Sequence, residues 1–379
     1  MFWFLLFLFT MQLCFAYAYR YRPGADPAYI PKEWPKVSVV ICGKNEAENI
    51  QRFLPLVLSQ QYGHNDWELL YVNDASTDES ARLLQALSLE YPQLRILDIE
   101  PGEARIFPGK KQALLQGLQQ AEHDLVLLTD ADCYPAAALW LEGMVRAYQQ
   151  LKDKNHLEQN FVLGYGAYQK EPGLLNRFVR WETLHTFIQY ASWARIYRPY
   201  MGVGRNILYH KRSVIDLLEH DSAFKNTFAA TASGDDDLII SALATIENTI
   251  IADDAATHTI SAAPAGWRQW WRQKTRHVSS GKYYAPWIKK GLGLYALSAF
   301  LFWVLALILL VSSEGLIQKL VLFLILCRLA AYWANAFKWL SVLGSKRQAW
   351  FYPLGELMWL VYNMAVSPFI FWKNKQQWK

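Results

Sequence analysis

The sequence predicts an α/β protein built on a mainly parallel sheet with helices on both faces, with membrane-spanning helices at both ends. Three observations predict it. Short apolar runs recur, each followed by a polar turn and a helical stretch, at the interval typical of βα units. The turns that carry acids or a lysine lie on the carboxyl side of a strand, which gathers them into one crevice. The apolar excess, in a chain that is 53% hydrophobic with 17 Trp, is concentrated at the two ends.

Residues 2–19 form an apolar run of about the length that crosses a bilayer. Ala16-Tyr17-Ala18 resembles a signal-peptide cleavage site, but no Lys or Arg precedes the run, whereas Arg20 and Arg22 follow it. That asymmetry favours a retained anchor over residues 1–22 with the next domain on the cytoplasmic side. Residues 23–35 carry four prolines and read as an extended linker.

A domain over residues 36–264 follows. Val37-Ser38-Val39-Val40-Ile41 is a buried first strand, leading through Cys42-Gly43-Lys44-Asn45-Glu46 into a helix whose amino end offers free amides and a positive dipole. Trp67 to Val72 is a second strand, running into Asn73-Asp74-Ala75-Ser76-Thr77-Asp78 and a helix from Glu79 through Leu87. A third strand at Leu94 to Ile99 precedes Phe107-Pro108-Gly109-Lys110-Lys111 and a helix from Gln112 to about Ala121. Leu125-Val126-Leu127-Leu128 is too short for a helix and suits a buried strand. It ends in Thr129-Asp130-Ala131-Asp132, where alternation points both carboxylates to one side.

A helix from Ala136 to about Leu151 and a strand over 161–168 come next. Residues 174–196 mix aromatics with arginines, as a helix lying on the membrane surface or in the core would. Gly202-Val203-Gly204-Arg205-Asn206 is a turn without dinucleotide-fingerprint spacing, and Gly234-Asp235-Asp236-Asp237 sets three acids before a helix. Residues 265–290 form a basic, aromatic interfacial segment, and residues 291–373 hold two or three spans. Stretch 291–311 carries no charge, 316–340 contains Arg328 and Lys338, and 350–372 contains Glu356 and Pro368. Lys282, Lys289 and Lys290 precede the first stretch and Lys338, Lys346 and Arg347 close the second, so their link turns outside the cell. The third stretch either spans, leaving the basic tail outside, or lies re-entrant or at the interface. Arg328 is expensive in lipid and is best explained by pairing with another helix.

Composition excludes several classes. A net charge of +5 is too mild for nucleic-acid binding. Cys14, Cys42, Cys133 and Cys327 are far apart, without zinc or disulfide spacing. No glycine-rich phosphate loop is present, which disfavours a kinase or ATPase. Carboxylates with a lysine at strand ends suit a nucleoside diphosphate and its divalent metal, because a hard cation takes carboxylate and phosphate oxygens.

Taken together, these turns resemble those of a membrane-bound family 2 glycosyltransferase of GT-A fold. The matching residues are the first strand with Asn45-Glu46, Val72 to Asp78, Gly109-Lys110, Thr129 to Asp132, Gly234 to Asp237 and Gln273-Lys274-Thr275-Arg276-His277, in the family's order. The resemblance implies that Asp74, with Asn45 and Glu46 beside it, holds the uracil or ribose side of a UDP-sugar. Lys110, or Lys111 in its place, lies near the nucleotide, Asp130 contacts it, and Asp132 ligates the metal, Mg²⁺ or Mn²⁺. Asp236 first, and Asp235 second, deprotonates the acceptor. Gln273 and Arg276 match a Gln-x-x-Arg-Trp element that closes over the diphosphate, with His277 standing where that element has tryptophan. The implied activity is inverting, metal-dependent transfer from a nucleotide sugar to a lipid or lipid-linked acceptor. It takes place at the cell membrane, in a multi-pass protein with a cytoplasmic catalytic domain. The alternatives are a processive β-glycan synthase and a non-catalytic nucleotide-sugar-binding membrane protein.

Overall fold

A computed structural model describes residues 1–63 and 66–368. Helix α1 (Phe2–Ala18) is followed by the extended linker and then by β1 (Val37–Gly43), α2 (Ala47–Leu58), β2 (Trp67–Asp74), α3 (Ser80–Glu90) and β3 (Leu94–Ile99). Next come α4 (Lys110–Gln120), β4 (Leu125–Asp130), β5 (Cys133–Pro135) and α5 (Trp140–Asn155). Then follow β6 (Phe161–Gly164), β7 (Gly166–Tyr168), α6 (Leu174–Ile196), β8 (Ile207–His210), α7 (Lys211–His220) and α8 (Ser222–Ala229). The sheet-bearing part of the chain ends with α9 (Asp235–Leu243), β9 (Thr249–Ala252) and β10 (Thr259–Ser261). Last are α10 (Trp267–Val278), α11 (Pro286–Ser312), α12 (Gly315–Val342) and α13 (Tyr352–Val366).

The main sheet has the order β3-β2-β1-β4-β8-β6-β9, and a small sheet has the order β5-β10-β7. β1 pairs parallel with β2 and β4, and β8 is antiparallel to both β4 and β6. Gly43 stands opposite Asn73 and Cys42 opposite Asp130, so β1, β2 and β4 end level. Their turns therefore open at one height, as the βα spacing predicts.

Both faces of the sheet are covered. Val37, Val39 and Ile41 pack with Leu54, Val57 and Met144 of α2 and α5. Val40 and Cys42 point the other way, into a cluster with Leu114 and Leu118 of α4. Alternate residues of one strand thus serve two helical layers, which is why β1 reads as an unbroken apolar run. The second cluster continues through α6 (Phe187, Tyr190) to Trp339 of α12 and Tyr362 of α13. The sheet and the C-terminal helices share one core.

Four expectations change in detail. The strand expected over 161–168 is two strands in different sheets, broken at Tyr165, whose carbonyl accepts from Thr259 N at 3.2 Å and Asn206 Nδ2 at 3.0 Å. Residues 174–196 form a core helix: Phe178, Trp181 and Tyr190 are each about 1% exposed or less. Among the described residues, the two helices long and apolar enough to cross a membrane are both C-terminal, α11 and α12, whereas α1 has 17 residues. The third apolar stretch begins as α13, whose 15 residues reach only about 22 Å; residues 369–373 lie outside the described residues.

Arg328 meets the expectation of a partner helix. Fully buried on α12, it donates Nη1 to Glu356 Oε2 of α13 at 3.1 Å and Nη2 to Glu356 Oε1 and, at 2.6 Å, to Gln12 Oε1 of α1. Tyr332 and Ser298 bind Gln12 in turn, so one polar cluster ties α1, α11, α12 and α13. Removing one partner of a buried pair leaves a bare charge, at a cost of roughly 3–5 kcal/mol, whereas replacing both by apolar groups is often neutral. Glu356→Ala is therefore expected to lower the Tm of the detergent-solubilised protein clearly, and Arg328→Met with Glu356→Met to recover most of that loss.

Candidate functional site

The crevice lies where β1, β2 and β4 end, and cations from loops neutralise its acids. Asp74, at the end of β2, is fully buried and receives both guanidinium nitrogens of Arg105, with Nη1 3.0 Å from Oδ2. Arg105 sits in the irregular stretch after β3, where no periodicity marks it, and sequence reasoning missed it. Such a two-point pair fixes orientation as well as charge.

The amino end of α2 is not open, contrary to expectation. Asn45 N donates to Ser76 Oγ at 2.9 Å, Glu46 N to Ser80 Oγ at 3.0 Å and Ala47 N to Asp78 Oδ2 at 3.1 Å. Asn45, in the left-handed region at φ 54°, returns a bond by accepting from Thr77 N at 2.8 Å. The turn after β2 carries serine and aspartate side chains that reach these amides first. Asn45 and Glu46 thereby knit two turns together, and the Glu46 side chain accepts from Asn49 Nδ2 at 2.5 Å.

Gly109 caps α4 at φ 65°, and a Cβ there would lie 2.8 Å from the Ala232 carbonyl, so glycine is required. The turn delivers Lys110 onto Asp130 Oδ1 in an ion pair. Burial works against both charges. The Lys110 ammonium nevertheless holds Asp130 below the usual carboxylate range, and Asp130 with Asp235 holds the lysine protonated. Lys111 points elsewhere: fully buried, it donates to the carbonyls of Phe228 and Thr231, both at 2.8 Å, and burial pushes it down to about 8. Geometry thus separates the two lysines, giving Lys110 to the crevice and Lys111 to the loop before α9.

Asp132 is solvent-exposed, yet the cleft walls, then Asp130 and Glu46, push its carboxyl up. Ligand atoms of Asp130, Asp132 and Cys133 lie within 4.8 Å of one another. Burial keeps the Cys133 thiol protonated, 3.0 Å from Ser261 Oγ, so the usable donors are carboxylate oxygens. That set fits Mg²⁺ or Mn²⁺, which bind through one or two carboxylates and take remaining ligands from phosphates and water.

Arg205 is the second functional residue that sequence reasoning missed, though its turn was noted. Nη2 donates to the Gly166 carbonyl at 2.7 Å and Nη1 to Ser261 Oγ at 3.2 Å, and the guanidinium covers the Tyr168 ring at 4.7 Å. So held, its charge bears on Asp130 and Asp132. Tyr168 OH accepts from Gln273 Nε2 at 3.0 Å, which docks α10 on the same wall.

Gly234, left-handed at φ 74°, starts α9, and the three acids that follow diverge. Asp235 has no hydrogen bond or ion pair among the described residues, and its charge acts on Lys110 and on the Cys42 thiol, beside Asp130. Asp236 accepts from Gly204 N at 2.7 Å and Asp237 N at 2.9 Å, and burial between two other acids drives its carboxyl well up. Asp237 accepts from Tyr284 OH at 2.7 Å and Ser280 Oγ at 2.9 Å, and burial pushes it up to about 6. The structure brings Arg276 against the approach to α9, where its carbonyl accepts from Ser233 Oγ at 3.2 Å and its guanidinium lies 3.4 Å from His277 Nε2.

Comparison with known proteins bears on this arrangement. Residues 38–211 match the family described as Glycosyl transferase family 2. The chain is similar to the probable glycosyltransferase YdaM of Bacillus subtilis (strain 168), 27% identical over 66% of this chain and 56% of that protein. It is also similar to the beta-monoglucosyldiacylglycerol synthase of Nostoc sp. (strain PCC 7120), 29% identical over 35% of this chain and 27% of that one. The matches thus span from about a quarter to just over half the length of these relatives. Among solved structures, the mannosyltransferase PcManGT from Pyrobaculum calidifontis, in complex with GDP-Man and Mn2+, aligns over 95% of this chain and 96% of that one. Its TM-score is 0.52 and its identity 18%. That likeness establishes a GT-A fold, in agreement with the parallel sheet.

A raised carboxyl makes the fold depend on pH. With Asp237 near 6 when folded and 3.8 when unfolded, the native state binds more protons between those values, so stability falls as pH rises through that window. Asp237→Asn removes this titration. The Tm of the variant relative to the wild type is expected to climb from pH 4 to about pH 7 and then level off, as a thermal-shift series would show.

Proposed function

We propose that the protein is an inverting glycosyltransferase that moves a sugar from a nucleotide sugar, a UDP-sugar in the first instance, to a hydroxyl of a lipid or lipid-linked acceptor. The observation that carries this reading is the convergence of Asp130, Asp132, Asp235, Lys110 and Arg205 on one crevice. Asp74 and Arg105 bind the nucleoside side, and Lys110 faces the phosphates. Asp132, with Asp130, would hold Mg²⁺ or Mn²⁺, which neutralises the diphosphate and so eases departure of the nucleotide. Arg205 and, from α10, Arg276 supply further positive charge as the leaving group develops its own. Gln273 fixes α10 to Tyr168, setting the distance of that helix from the donor.

A base must accept the acceptor's proton as its oxygen attacks the anomeric carbon. Hydrogen bonding favours Asp235 over Asp236, because Asp236 already accepts two backbone amides while the charge of Asp235 acts on Lys110. Asp236 then positions the Gly204–Arg205 turn through the Gly204 amide. No carboxylate nucleophile is required, and the sugar inverts in one displacement.

The membrane reading rests on α11 and α12, each long and apolar enough to span, with α1 packed between them as a third apolar helix. The basic residues at the domain ends of both helices support a cytoplasmic domain in a multi-pass protein of the cell membrane. A polymer channel is usually built from more spans than the apolar helices among the described residues, which favours a lipid acceptor over processive glycan synthesis.

Purified protein with UDP-sugars and Mn²⁺ is expected to release UDP, and chelation to stop it. Asp132→Ala is expected to abolish turnover. Asp235→Asn should lower kcat by about 10²- to 10⁴-fold with the donor KM nearly unchanged, and Asp236→Asn by less. Full activity of Asp132→Ala contradicts the donor site, and an Asp235→Asn enzyme as fast as the wild type contradicts the base.

A further inference from the structure

Helix α10 has two working ends. Its carboxyl half docks on the crevice through Gln273, and its amino half presents Trp267, Trp270 and Trp271 to α13. Between them lies a groove of about 400 Å³, closed from the α13 side by Met358, Val361 and Tyr362. The volume suits a small ligand, and the lining is aromatic and aliphatic throughout, with no charged side chain.

The surroundings say what enters it. Val361, at the mouth, is 69% exposed and belongs to a stripe of Leu354, Leu357, Val361 and Met364 along α13, all exposed. An apolar stripe at helical spacing on the outside of a helix is unfavourable against water and suits hydrocarbon. α13 also packs on both α11 and α12, so the stripe continues the surface of the spans. Arg268 and Arg272 are exposed on α10, as at a membrane surface with anionic headgroups. Trp270 precedes Gln273 by one helical turn, about 5 Å along the axis, and Arg276 by two.

We propose that this groove holds the hydrocarbon tail of the acceptor lipid, so that α10 measures the lipid from its chain on the tryptophans to its hydroxyl beside Asp235. This inference rests on the lipid-acceptor reading and adds the place where the chain lies. Arg268 and Arg272 take the anionic part of the headgroup. The Gln273–Tyr168 bond sets how far the hydroxyl reaches toward the donor.

The test uses the full chain in nanodiscs, a lipid acceptor carrying a diazirine near the end of its tail, and short-chain and long-chain versions of the same acceptor. Expected are labels on peptides 267–271 and 358–365, competed by unlabelled acceptor. With Val361→Trp, the KM for the long-chain acceptor should rise at least about tenfold, with no change for the short-chain acceptor or for the donor. Val361 is at the surface, so the variant keeps the fold. Transfer to lipid with no label in the groove, or with Val361→Trp acting equally on both chain lengths, overturns the groove and leaves the lipid-acceptor reading standing. Competed labelling in the groove without transfer to any lipid overturns the acceptor reading and with it the assignment of the tail. Labelling that occurs only in a chain ending at Pro368 shows that residues 369–379 fill the groove, and also overturns the proposal.

Discussion

Everything at the crevice depends on balancing carboxylates gathered at strand ends by the topology of the sheet. Parallel strands of equal height bring Asp74, Asp130 and Asp132 to one edge, and the start of α9 adds Asp235 and Asp236. Like charges so close would repel strongly in a partly enclosed cleft. The chain answers with one cation per acid or pair: Arg105 for Asp74, Lys110 for Asp130, and Arg205 facing Asp132. These cations come from irregular loops, so loop conformation and site charge are coupled. A metal-bound diphosphate fits this pattern because its net negative charge is taken up by the same lysine and arginines.

The same constraint explains the glycines and the buried lysine. Gly109 turns the chain so that Lys110 faces Asp130, and Lys111, one residue on, ties down the loop that leads to α9. Neighbouring lysines thus serve two places, Lys110 the crevice and Lys111 the loop before α9. On the far side, α6 runs beneath the sheet and against α13, with Trp181 packed on Gly355 so closely that a Cβ there would lie 2.5 Å away. The sheet layers therefore sit at a fixed height over the C-terminal helices.

Much of this was legible in the sequence, for identifiable reasons. Buried strands must be apolar and short, and acids after them stand out against that background; Leu125 to Asp132 is the plainest case. Lys110, Asp130, Asp132 and the α9 acids stand out by that reasoning; in the structure Asp235 acts on Lys110 beside Asp130, whereas Asp236 and Asp237 turn to Gly204 and to Ser280 with Tyr284. Arg105 and Arg205 were not found, because their partners lie far off in sequence and their loops have no period to read. The amides before α2 looked free because nothing local shows that Ser76, Asp78 and Ser80 reach them. Residues 174–196 were ambiguous because a helix buried between a sheet and apolar helices has the composition of one lying on a bilayer. Arg328 was rightly expected to find a partner, since a guanidinium among apolar helices is too costly to leave alone.

The central claim is that the turn after β4 holds the donor through a divalent cation. Its most direct test is anomalous diffraction from crystals grown with Mn²⁺ and a nucleotide sugar. A manganese peak about 2 Å from an Asp132 carboxylate oxygen, bridging to the diphosphate, is the predicted result. Donor bound in the crevice with no peak at Asp132, or with manganese held by other residues, would contradict it.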